Sequence, residues 1–95
     1  MKDFIITFFP DGAPDLLWRM AGVISSEFDV WAAEHDAGIF FISSELSAEE
    51  IFESLTSEVE LTDSAALFVF QFSGSWAGLA NTTCLQTLSE RHKVP

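Results

Sequence analysis

Few side chains in this sequence suit covalent or acid–base chemistry. Cys84 is the only thiol. It falls on the inner side of a predicted helix and reads as a small buried apolar residue. One cysteine forms no intramolecular disulfide, which suits a reducing compartment. His35 stands between Glu34 and Asp36. Those carboxylates favour the imidazolium or accept its proton, and the same residues also suit a solvated turn. His92 closes a predicted helix, where the negative helix end favours a cation. Ser73-Gly74-Ser75 offers hydroxyls with no base beside them. The chain has no Cys/His cluster at zinc spacing, no glycine loop of phosphate-binding type and no Gly-x-Ser-x-Gly. No catalytic set emerges from these residues.

Carboxylates are the abundant chemistry. The chain carries 15 Asp and Glu against 4 Lys and Arg, a formal net charge of −11. No Lys or Arg lies between Arg19 and Arg91, and that span holds 12 of the 15 acids, all but Asp3, Asp11 and Asp15. Glu45, Glu49, Glu50, Glu53, Glu58, Glu60 and Asp63 gather on or around one predicted helix. Glu49, Glu50 and Glu53 share its outer surface, so like charges meet without a lysine to relieve them. Such a face keeps a Phe-rich domain soluble. It also suits docking on a basic protein, or imitating a phosphate backbone in a nucleic-acid groove. Glu45, Glu49, Glu50, Glu53 and Glu58 are the expected partner-binding residues. Direct nucleic-acid binding is disfavoured, because it needs Lys and Arg against phosphate.

The elements that must position these groups follow from length and pattern. The 95 residues make one small domain, and 48% apolar content with 10 Phe and 3 Trp indicates a packed core rather than an acidic disordered tail. The apolar run Phe4 to Phe9 is too short for a secretory signal, and no stretch approaches the roughly 20 apolar residues of a membrane span. A soluble cytoplasmic protein with no membrane association and no resident cofactor is expected. Phe4 to Phe9 reads as a central strand buried on both faces, ended by Pro10-Asp11-Gly12. Pro14 and Asp15 open a helix to about residue 26, with Leu16, Leu17, Met20, Ala21, Ile24 and Phe28 on one face and Trp18 and Arg19 off it. Asp29–Glu34 and Ile39–Ile42 form an antiparallel hairpin around the turn 35–38. Ser47 and Glu50 make a capping box for a second helix that buries Ile51, Phe52, Leu55 and Val59. Ala65 to Ser73 is a fourth strand. Asn81 caps a final short helix with Cys84, Leu85 and Leu88 inward and Arg91 near its negative end.

The order strand, helix, strand, strand, helix, strand folds with right-handed crossovers into an α+β ferredoxin-like βαββαβ sandwich. Residues 1–80 form that domain, and residues 81–95 a C-terminal helical appendix. Both helices lie on one face of a four-stranded antiparallel sheet. Strands one, three and four carry apolar residues of both parities, so the second face is also apolar and predicts an interface. A homodimer packed sheet to sheet through Phe68, Phe70, Phe72 and Trp76 is expected. The alternatives are cover by the Trp76 segment or by the C-terminal appendix of the same chain.

The segment Ile39-Phe40-Phe41-Ile42-Ser43-Ser44, then Leu46-Ser47-Ala48-Glu49-Glu50-Ile51, then Asp63 to Phe70 leading into Ser73-Gly74-Ser75-Trp76-Ala77-Gly78, resembles the SinR-like small proteins. Those are similar to the small CRISPR-associated adaptation protein that partners the spacer integrase, and to related toxin ribonucleases. The resemblance spans residues 4 to about 80. It implies a ferredoxin-like homodimer. It also implies, for some relatives, a metal-dependent nuclease in which paired Asp residues at the end of the first strand hold Mg²⁺. Here Phe9 stands where that Asp belongs. Asp11 is the nearest acid, the only catalytic or metal-ligand candidate, and Asp11-Gly12 also suits a plain turn. The expectation is therefore a non-catalytic homodimeric module binding a basic protein in a defence, toxin–antitoxin or counter-defence system. The alternative is a metal-dependent endoribonuclease or other nuclease using Mg²⁺.

Overall fold

The computed structural model describes residues 1–12, 14–62 and 64–72, together with Thr87, Leu88, Glu90 and Arg91. The elements run β1 (Lys2–Phe9), α1 (Pro14–Glu27), β2 (Asp29–Glu34), a short 3₁₀ turn (His35–Ala37), β3 (Ile39–Ser44), α2 (Ala48–Glu58) and β4 (Ala66–Gln71). The sheet order is β2-β3-β1-β4, and every neighbouring pair is antiparallel. This is the ferredoxin-like α+β arrangement expected from the element order. β1 is central, as its nearly continuous apolar run implies, but the expected burial on both faces holds only on the helix side: Ile5 and Thr7 are half-buried and Phe9 is exposed, because both helices cover the other face.

Alternation along β1 divides its side chains between the two faces. Phe4, Ile6 and Phe8 are fully buried on the helix side, where they join Phe40 and Ile42 of β3 and Leu67 of β4. Leu16, Met20, Ala21 and Ile24 of α1 and Ile51 and Leu55 of α2 close this core from above. Phe52 departs from expectation: its spacing places it on the buried stripe of α2, yet it is 41% exposed. Ile51 and Leu55 define the buried line, and one residue on from Ile51 the helix has turned toward its β4 flank.

Local signals explain the boundaries. Ser47 accepts from the Glu50 N–H at 3.1 Å, and the Glu50 carboxylate accepts from the Ser47 N–H at 3.0 Å, completing the capping box. Gly38 ends the 3₁₀ turn at φ +68°. A Cβ there would run into the Phe8 carbonyl oxygen, so only glycine lets β1 and the hairpin approach. The Phe8 N–H donates to the Gly38 carbonyl at 2.7 Å across that approach.

β2 is irregular where it matters. Its register against β3 shifts between Val30 and Ala32, so Trp31 is the extra residue of a β-bulge. Val30 and Ala33 pack toward the helices, whereas Trp31 and Ala32 both pack on the opposite, open face. Strict alternation would have sent one of these two neighbours to each side.

Candidate functional site

The open face is finished in two different ways. On its β2/β3 side, Phe41 and Leu88 are buried together, with Ile5, Trp31, Ala32, Ile39 and Phe72 packed against them. Trp31 and Phe41 lie 5.3 Å apart, and Phe41 meets Phe72 edge-on at 6.1 Å. Arg91 places its guanidinium carbon 4.7 Å from the centre of the Trp31 ring. The same side chain donates to Ser43 Oγ at 2.6 Å and to Asp3 Oδ1 at 3.2 Å. Ser43 Oγ in turn donates to Asp3 Oδ1 at 2.6 Å. A cation over an aromatic face, paired with a carboxylate and a hydroxyl, ties the C-terminal segment to the sheet. Arg91 thus has specific partners beyond the helix-end role expected of it.

On the β4 side, Phe9, Phe68 and Phe70 remain about half exposed. Phe68 and Phe70 stack with centroids 6.0 Å apart. Of the four expected dimer-interface residues, Phe68 and Phe70 therefore lie open. Phe72 is partly buried against its own chain, which answers part of the apolar face internally. Trp76 lies outside the described residues. So do Asp63, Cys84, Leu85, His92 and Ser73-Gly74-Ser75.

An open groove of about 410 Å³ runs between α2 and β4. Phe52, Leu67 and Val69 give it apolar walls, Phe68 bounds it, and Glu49 and Glu53 stand over it. These two acids are exposed and one helical turn apart, and that spacing sets them on one flank of α2. The remaining expected partner-binding acids are elsewhere. Glu50 is held in the capping box, where hydrogen bonds from the Ser47 backbone and side chain lower its pKa. Glu45 lies 3.4 Å from the N-terminal ammonium. Glu58 is exposed at the end of α2, and the helical step sets it on the flank away from the groove. On that flank Ser54 donates to Glu27 of α1 at 2.7 Å. The five expected partner-binding acids thus resolve into a pair at the groove and three with other surroundings.

Asp11 is exposed in the turn after β1 at φ +53°, a left-handed conformation that Asp tolerates better than most residues. His35 is exposed in the 3₁₀ turn and meets the edge of Phe40 at 5.5 Å. Among the described residues, no three His, Cys, Asp or Glu side chains group as a metal site. No helix among them is long and apolar enough to cross a membrane. The residues that sequence reasoning missed are Trp31, Asp3 and Ser43. Their signal was weak: a lone Trp among small residues in a short strand, and two small polar residues at facing strand ends.

Architecture and surface together define a ferredoxin-like α+β domain with an acid-rimmed groove along one edge strand. Comparison of the chain with protein-family models, curated proteins and solved structures returned no match.

Proposed function

We propose that this protein is a non-catalytic interaction module whose acidic α2 side binds a basic protein. The observation that best supports this reading is the groove, where Glu49 and Glu53 stand beside the half-exposed Phe52. The sequence supplies no Lys or Arg between Arg19 and Arg91 to neutralise them. Apolar surface gives a partner something to bury, and paired carboxylates select a cationic one. A defence, toxin–antitoxin or counter-defence setting fits, with the anionic domain occupying the basic groove of a nucleic-acid enzyme. The module self-associates through the remaining open patch of Phe9, Phe68 and Phe70.

The test uses the full chain as bait, alongside Glu49→Lys/Glu53→Lys. Basic proteins retained by the wild type are expected to be lost with the variant, and to elute as salt rises. Equal retention by both chains overturns the reading. Divalent-metal-dependent cleavage of RNA or DNA, abolished in Asp11→Ala, overturns its non-catalytic part. Light scattering should give twice the 10.5 kDa chain mass, falling to a single chain in Phe70→Lys. A monomeric wild type removes the dimer.

A further inference from the structure

We infer that the edge of β4 receives an extended segment of alternating basic and apolar residues, which joins the sheet as a fifth strand. This rests on the basic-partner reading above and says how that partner is held. β4 ends the sheet order among the described residues. Its ladder with β1 fixes which backbone groups face outward, and no described residue pairs with those. The Phe72 N–H donates to the Asp3 carbonyl at 2.7 Å, and register continues through Ile5↔Phe70, Thr7↔Phe68 and Phe9↔Ala66. Antiparallel pairs alternate between bonded and non-bonded. The N–H and C=O groups of Leu67, Val69 and Gln71 therefore point away from β1, along the rim of the α2 groove. A strand edge that no neighbouring strand pairs is a template for main-chain pairing.

The groove dictates the occupant's side chains. A strand added beside β4 sends alternate residues to opposite faces. Those on the helix side enter the groove, where aliphatic stems of Lys or Arg cover Phe52 and their charged heads reach Glu49 and Glu53. Those on the other side lie beside the exposed, stacked Phe68 and Phe70, which favours apolar residues. A second copy of this chain is the poorer occupant. Two β4 edges paired about a twofold axis would bring two α2 helices together, each with Glu49 and Glu53, and neither α2 nor β4 carries a Lys or Arg. Like charges facing each other across such a contact oppose it.

The probe is a capped octapeptide alternating Lys and Val. The controls are a block peptide of the same composition and an alternating peptide N-methylated on the amides that would face β4. Binding is read by amide hydrogen exchange and chemical shifts of the intact protein. The alternating peptide should slow exchange at Leu67, Val69 and Gln71, and both controls should lose that protection. Glu49→Lys/Glu53→Lys should weaken binding by at least about tenfold. Both acids are exposed, so the variant keeps its fold, and N-methylation perturbs only the probe. Protection elsewhere, equal binding of the block peptide, or β4 edges paired between two copies overturns strand addition. If the charge reversal abolishes basic-protein capture while the peptide leaves the β4 amides unprotected, strand addition fails and the module reading stands. If the reversal changes neither, both fail.

Discussion

The β3 side and the β4 side of the open sheet face carry similar apolar residues and meet different fates. Over β3, Leu88 fills the space beside Phe41 and Arg91 clamps Trp31, Asp3 and Ser43. Over β4, Phe68 and Phe70 stack on each other, half open to water. Aromatic content alone therefore does not decide burial. Cover goes where a bulge supplies a platform and a paired cation fixes the covering segment. The uncovered half adjoins both the outer edge of β4 and the acid-rimmed groove, so exposed aromatic rings and carboxylates meet along β4.

Truncation should expose this contrast most strongly. Ile6→Ala, on the helix side, is expected to cost about 2–5 kcal/mol. Phe70→Ala should cost less than about 1 kcal/mol, because its ring is already half solvated. Urea denaturation of both variants at low protein concentration measures the difference. Equal losses would mean that the β4 half is covered in solution.

Next in size is the clamp. Leu88→Ala should cost about 2–3 kcal/mol and raise dye binding to the newly bared Phe41 side. Arg91→Ala should cost about 1 kcal/mol. Arg91→Lys should recover little of it, since an ammonium lacks the planar fork that serves Trp31, Ser43 and Asp3 together. Stability unchanged in both Leu88→Ala and Arg91→Ala would erase the distinction between the two halves.

The smallest effect separates the carboxylates themselves. Ser47→Ala should cost about 1 kcal/mol through the lost cap. Glu50 has a folded pKa below its ordinary 4.5, so its contribution is complete above that value. It fades as pH falls through the lower folded value. Acid titration of Glu50→Gln should lack that component. Glu49→Gln and Glu53→Gln should leave the neutral-pH stability unchanged and act on binding alone.

Much of this architecture is legible in the residues. The central place of β1, the Gly38 turn and the Ser47/Glu50 box each state a local rule that the fold obeys, whereas the expected burial of β1 on both faces holds only on the helix side. The surface was legible only in outline. Five carboxylates looked equivalent because spacing along a helix does not reveal what a neighbouring strand places beside each flank. Phe52 looked buried for the same reason: at the margin of an apolar stripe, exposure depends on how far β4 extends under it. Phe72 and Arg91 became parts of one intramolecular contact through residues far away in the chain.

By itself, the sequence determined the order of elements, the central position of β1, the absence of cations between Arg19 and Arg91 and the excess of apolar side chains over what two helices can cover. These follow from periodicity, capping and composition, which act over a few residues. Tertiary structure alone decided the rest. It set Trp31 on the open face through a one-residue bulge, spent Leu88 and Arg91 on the β3 half, and brought Glu49 and Glu53 to the edge of β4. Those outcomes depend on register and close packing between distant segments, where a shift of one residue exchanges the two faces of a strand.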